Sequence, residues 1–419
     1  MKNFLSGFFL AVFVSCFFFP FGLHFLPSGI NTKIIMAGFG ILAFVLYCIR
    51  NHQMQISRIT LVSALIAVTF SLWCLFSITA NGTDDTSYVM YWVSFATWLG
   101  GAYGVYTLLR LRYGRVDLDL LTRYLAIVCV AQCVLALMID NIPAFQRVVD
   151  AYVDQGQEFF QEVHRMYGIG AALDSAGVRF SVVLVLIAHQ IATNAAVYDS
   201  KSRLTGYILA FIVISVVGNM IARTTSIGMG LGLFYILAKY FTVKQGGDIS
   251  GRQIRLYAIL FTLLAAAVYI SVTLYQSSPA FRQNIRFAFE GFFNWAETGE
   301  FSTGSTDKLN AQMWVWPEGY RAWMIGNGIF GNWYYSTDIG YCRFTLYCGL
   351  IGLAIFSLFF IYNGLALNGK FRKYSFLSLL LIALTFIIWL KVSTDIFFIY
   401  ALLFCIDGDE DGEEPVPAV

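Results

Sequence analysis

Twelve apolar runs separated by short polar connections leave few folds open to this chain. They cover 4–20, 34–49, 59–79, 88–109, 120–138, 178–197, 204–222, 227–243, 254–275, 341–362, 374–390 and 396–406. A run of about 20 apolar residues crosses the hydrocarbon core of a bilayer. None of these runs shows strand alternation, and unpaired backbone is costly in lipid, so each must be a helix. A chain that is 58% hydrophobic and only 12% charged is not a soluble domain. The expected fold is all-α: a polytopic integral membrane protein with about twelve transmembrane helices. The last run is short enough to be a re-entrant or tilted end. The first is no removable signal peptide, because it has one Lys, no small-residue cleavage site and a Phe-rich stretch ending at Pro20.

Basic residues fall in alternate connections. Lys2, Arg50, Arg58, Arg110, Arg112, Arg115, Arg123, Lys201, Arg203, Lys239, Lys244, Arg252, Arg255, Lys370, Arg372 and Lys373 lie on one side, a majority of the 27 Lys and Arg. The rule that cytoplasmic loops collect positive charge then puts both termini inside. Residues 1–406 are expected to form one transmembrane domain. Its long loops, 140–177 and 276–338, lie outside, the second between the ninth and tenth helices. The acidic, Pro-containing tail 407–419 is expected to be disordered and cytoplasmic.

A net charge of +2 gives no clue to partners, and no nucleic-acid partner is expected. All eight Cys sit in or beside apolar runs, which implies no disulfide framework. The four His show no ligand spacing, so no metal and no cofactor is expected. His189, inside a run, reads as a satisfied interior residue.

The two outer loops are too long to be simple connectors. The first carries a candidate amphipathic helix, 144–166. The second holds five of the nine Trp: Trp295, Trp314, Trp316, Trp323 and Trp333. Such aromatics either anchor at the headgroup zone or pack on the faces of amphipathic ligands.

The arginines outside run against the charge trend, and three lie at the edges of apolar runs: Arg179, Arg223 and Arg343. Arginine near the bilayer is usually paired or faces a wet cavity. A guanidinium fork matches phosphate oxygens and stays charged at any relevant pH, so an anionic ligand shared among them is the functional reading. Snorkelling to the headgroups is the bland one. Asp338, five residues before Arg343, is the best candidate acid; it could pair with an Arg or take a proton from an attacking hydroxyl. His164, beside Arg165, is a weaker candidate base.

At these residues the chain resembles the O-antigen polymerase and ligase family of bacterial surface-polysaccharide assembly. The resemblance covers roughly 165–395. It rests on Arg165-Met-Tyr-Gly168 with Ala176-Gly177, on Ala222-Arg223-Thr224-Thr225, on Trp323-Met-Ile-Gly326-Asn-Gly328, and on Ser336-Thr-Asp338-Ile-Gly340-Tyr341-Cys-Arg343 leading to Gly349-Leu-Ile-Gly352. It implies a metal-independent glycosyltransferase of the bacterial inner membrane. Such an enzyme polymerises undecaprenyl-pyrophosphate-linked oligosaccharide repeat units at the periplasmic face, with membrane lipid, a flippase and a chain-length regulator as partners. By the same resemblance Arg165, Arg179, Arg223 and Arg343 hold the pyrophosphate. Asp338 orients or deprotonates the acceptor, and Arg321, His164, Tyr341, Trp314 and Trp323 join the substrate-binding set. Leaving-group charge is the main difficulty of the transfer, and fixed cationic forks meet it. Ligases of the family carry a His shortly after this Asp; here Ile339-Gly340-Tyr341 follow, which favours the polymerase. The competing class is a transporter, a twelve-helix carrier or a lipid-linked oligosaccharide flippase. Against it stand the tiny link between the sixth and seventh runs and the absence of a matching pair of broken runs in the two halves.

Overall fold

The computed structural model describes residues 2–27, 29–54, 56–162, 165–243, 251–331, 333–371 and 374–408. Among them the helices run, in order, α1 Lys2–Phe18, α2 Thr32–Asn51, α3 Arg58–Asn81, α4 Tyr91–Tyr113, α5 Leu118–Asn141, α6 Pro143–Tyr152, α7 Gln157–Glu162, α8 Leu173–Thr193, α9 Ala195–Asp199 and α10 Lys201–Ile221. They continue as α11 Thr225–Val243, α12 Gly251–Ser277, α13 Pro279–Ala288, α14 Glu290–Thr298, α15 Gly304–Gln312, α16 Tyr320–Ile325, α17 Gly340–Lys370, α18 Ser375–Ile388 and α19 Phe397–Cys405. Two-residue strands, β1 Gly22–Leu23 and β2 Val153–Asp154, pair antiparallel.

Each of the twelve apolar runs carries helix, the sixth divided between α8 and α9 and the tenth broken at Gly349. Among the described residues seven helices are long and apolar enough to cross a membrane: Thr32–Asn51, Arg58–Asn81, Leu118–Asn141, Leu173–Thr193, Lys201–Ile221, Ala258–Ser277 and Gly340–Lys370. Leu5–Phe18, Thr225–Lys239 and Ser375–Ile388 are shorter apolar helices. Large apolar side chains such as Phe8, Leu42, Leu65, Phe261 and Tyr269 stand exposed on helix faces, an arrangement water would punish and lipid does not. The chain is a helical, membrane-embedded protein.

The expected amphipathic helix is broken. The stretch 144–166 divides into α6 and α7, because Val153–Asp154 leaves the helix to pair with Gly22–Leu23 and Gly156 turns at φ 76°. An L side chain rarely adopts that conformation, and no helix continues through it. The tail from 409 onward lies outside the described residues; Asp407, just before it, bonds the Val116 amide and the Tyr106 hydroxyl.

The chain forms two compact units, Met1–Thr32 with Leu118–Ser302, and Lys33–Asp117 with Thr303–Val419. The long loop 276–338 is therefore shared out: α13 and α14 belong to the first unit, α15 and α16 to the second. In unit 1, α8 is the central post. Its residues Val178 to Ile191 are buried apart from Arg179, against α5, α10 and α11. His189 is buried there with Nδ1 2.6 Å from the Tyr235 hydroxyl, a satisfied interior histidine as expected.

Unit 2 is built on stacked rings. Phe356 lies flat on Phe70 (4.4 Å, 12°) and on Trp389 (5.4 Å, 9°), with Tyr91 and Phe344 edge-on to it. Such pairs add about 0.5–1.5 kcal/mol each beyond area burial. The helix α17 breaks at Gly349 (φ 68°, ψ −178°), and the stretch after α16 crosses at the break. Three carbonyls at the break are claimed. The amides of Asn327 and Gly328 bond Leu346 O and Tyr347 O, Ser77 also bonds Tyr347 O, and Trp73 Nε1 takes Cys348 O.

Candidate functional site

In unit 1 the turn between α10 and α11 is fixed from beneath by α8. Gly177 makes room for it: a Cβ there would meet the Cβ atoms of Ala222 and Thr224 at 2.9 Å. Ser181 Oγ donates to the Thr224 carbonyl (2.8 Å) and accepts from the Gly228 amide (3.1 Å), locking both sides of the turn. Thr225 Oγ1 closes the turn on Gly218 O at 3.0 Å. Arg223 thus has a rigid base.

Arg165 comes from the connection between α7 and α8. Its amide donates to Phe160 O (2.8 Å), and the next residues, Met166 and Tyr167, are buried. Gln132 of α5 grips Ile169 by both amide atoms, accepting from its N–H at 2.9 Å and donating to its carbonyl at 2.8 Å. The Tyr167 hydroxyl donates to Asp150 at 3.0 Å. These bonds hold the connection in one course.

The two guanidinium groups meet on one ring. Arg165 Cζ lies 3.8 Å and Arg223 Cζ 4.3 Å from the centroid of Phe287, on α13. A guanidinium over an aromatic face gains about 0.5–1 kcal/mol when exposed and about 2 or more when desolvated. The repulsion between two like charges is met by carboxylates. Arg223 is ion-paired with Glu290, their side chains 15% and 31% exposed. Thr224 Oγ1 donates to Asp174. Burial first, and then the charge of Arg223, pull the Arg165 guanidinium below its ordinary value, while Asp174 and Glu290 push it back. Arg165 also lines a cleft of about 300 Å³ together with Asp140, Gln146, Tyr167, Gln283 and Asn284. Asn284 there donates to Asp140 at 3.1 Å.

Arg179 instead turns back on its own helix, with Nη1 donating to Ser175 O at 2.7 Å. His164 lies outside the described residues. Phe287, Glu290 and Asp174 complete the cluster and were not among the residues expected from sequence.

The remaining expected residues belong to unit 2. Arg343 is a strut: it donates to Ser393 Oγ (3.0 Å) and Phe330 O (2.6 Å) and lies 4.0 Å over the Phe330 ring. Asp338 is half-buried and acts electrostatically on Arg343, as does Asp85. Asp85 accepts from the amides of Phe330 (2.7 Å) and Gly331 (2.6 Å). Burial alone would raise its carboxyl, but these amides, with the hydroxyl and amide of Ser87, hold it below the usual range. Tyr341 donates to Phe386 O at 2.9 Å, and Arg321 to Ala80 O. Trp314, Trp316 and Trp323 stack in a row, with centroids 5.9 and 5.5 Å apart and Trp314 and Trp316 about two-fifths exposed.

A paired set of rigidly based guanidinium forks can hold an anion with two or more phosphate-like groups. The Trp row can carry the flat faces of an amphipathic ligand. No protein family, curated protein or solved structure matches this chain.

Proposed function

We propose that the chain is a glycosyltransferase of the bacterial inner membrane, polymerising undecaprenyl-pyrophosphate-linked oligosaccharide repeat units at the periplasmic face without a metal. The observation that carries this reading is the meeting of Arg165 and Arg223 on Phe287. Both arginines came out of the sequence as candidates for the same ligand although they lie in different connections. In this reading the diphosphate that leaves the donor sugar takes its charge to these two forks, which are in place before the reaction. The twelve helical runs would all cross the membrane, with both termini inside, which brings Arg165 and Arg223 to the outer face. Asp338, which acts electrostatically on Arg343, is assigned to the acceptor hydroxyl. The Trp314–Trp316–Trp323 row is assigned to the glycan. A flippase that delivers the substrate and a chain-length regulator are the expected protein partners.

The broken helix α17 suits a carrier instead, since carriers place ion sites at such breaks. Three carbonyls at this break are occupied by Ser77, Trp73, Asn327 and Gly328, which speaks against that use. The test is the product. Purified protein given lipid-linked repeat units is expected to yield a ladder of lengths. A single unit moved to a different acceptor would assign a ligase, and intact substrate moved across a vesicle a transporter.

A further inference from the structure

The arginine cluster holds its own anions. Two guanidinium groups, Arg165 and Arg223, are balanced by two carboxylates, Asp174 and Glu290. The carboxylates differ in how they are held. Asp174 sits in the first turn of α8, accepts from Thr224 and is tied to the turn that also bears Arg223. Glu290 opens α14, just after the non-helical corner at Phe289 (φ −119°, ψ 29°) that separates it from α13. It is also the partner of Arg223 itself, and it is 31% exposed. A ligand phosphate that approaches Arg223 must therefore displace the Glu290 carboxylate, or share the guanidinium with it.

This matters because the site lies in a membrane-embedded protein. The most abundant anions around it are the phosphodiesters of lipid headgroups, each bearing a single charge. A tethered carboxylate competes at an effective concentration of the order of millimolar or above. A singly charged phosphodiester reaching one fork gains little over Glu290. A diphosphate carries more charge and can span both forks, so it gains at Arg165 as well as at Arg223.

Resting on the proposed diphosphate role of this site, we propose that Glu290 is a specificity-determining residue: a built-in counter-anion through which the Arg165–Arg223 pair rejects lipid phosphodiesters and admits a diphosphate. The carboxylate acts by competition and takes no part in bond making. Removing its charge should open the site to weaker anions and leave the preferred ligand bound.

The test is binding by the full-length protein in detergent, with geranylgeranyl diphosphate and short-chain phosphatidylglycerol as probes. The wild type is expected to prefer the diphosphate strongly. Glu290→Gln, which keeps the shape of the side chain, should bind phosphatidylglycerol at least tenfold more tightly and the diphosphate at least as tightly as before, so that the preference collapses. Glu290→Ala should behave the same way, and retained diphosphate binding certifies that either variant is folded. An unchanged preference in a variant that still binds diphosphate overturns the inference and leaves the diphosphate site standing. A loss of affinity for both probes in both variants also overturns it, since Glu290 would then be supporting the site. If wild type binds no diphosphate, or binds it independently of Arg223, the underlying reading falls as well.

Discussion

Arg165 and Arg223 reach the same phenylalanine from connections that share no sequence neighbourhood, and each is rigid for its own reason: Gln132 holds one backbone, Ser181 the other. At this scale the sequence spoke through charge. An arginine that defies the charge trend is conspicuous, and so Arg165 and Arg223 were legible; Arg179 was equally conspicuous, but it turns back on Ser175 of its own helix. Glu290, Phe287 and Asp174 were not legible. The Arg223–Glu290 pair spans 67 residues and the Thr224–Asp174 bond 50. A glutamate in a loop looks like any solvated residue until its partner is known. Asp338 was legible as an acid beside Arg343, and that neighbourhood is present. The role assigned to it predicts that Asp338→Asn lowers polymer formation by at least a hundredfold while Tm stays within a few degrees. Normal turnover in that variant would remove Asp338 from the mechanism.

The elements explain why those residues are held so firmly. Periodicity and length disclosed the helices; the breaks stayed hidden, because each is made by a distant partner. The pairing of Val153–Asp154 with Gly22–Leu23 divides the expected amphipathic helix, and the crossing stretch after α16 divides α17. The close fit of α8 under the α10–α11 turn gives a sharp prediction. Gly177→Ala forces a methyl against Ala222 and Thr224, an overpacking that costs about 1–3 kcal/mol. The shift passes directly to Arg223, and misplacement by about 1 Å can cost a hundredfold in rate. Polymer yield should therefore fall by far more than Tm. Gly206→Ala is the control: it is also helical, in α10, and a Cβ there meets nothing within 4 Å. It should leave both measurements intact or raise stability slightly. Equal effects of the two substitutions would contradict the role given to Gly177.

For the whole molecule, composition and hydropathy were enough to give the class, a helical membrane-embedded protein. They could not give the two-unit organisation, which assembles segments distant in sequence and shares out the long loop 276–338. Nor could they choose among runs of marginal length: α18 has 14 residues and α19 nine, short of the roughly 20 that span a bilayer upright. Orientation follows from the charge rule and is open to a direct check. Tyr320, 81% exposed, and Lys201, also exposed, lie on opposite sides in the proposed topology. In intact spheroplasts a membrane-impermeant maleimide should label Tyr320→Cys, whereas Lys201→Cys should react only after permeabilisation. The reverse pattern would invert the chain and place Arg165 and Arg223 inside.

The central claim is that two guanidinium forks, and not merely two positive charges, hold the departing diphosphate. It is tested most directly by giving purified Arg165→Lys and Arg223→Lys proteins lipid-linked repeat units and resolving product lengths. Lysine keeps the charge and loses the bidentate fork. Each variant is expected to retain the wild-type Tm to within a few degrees and to produce less than a hundredth of the polymer. A full ladder from both variants would contradict the account.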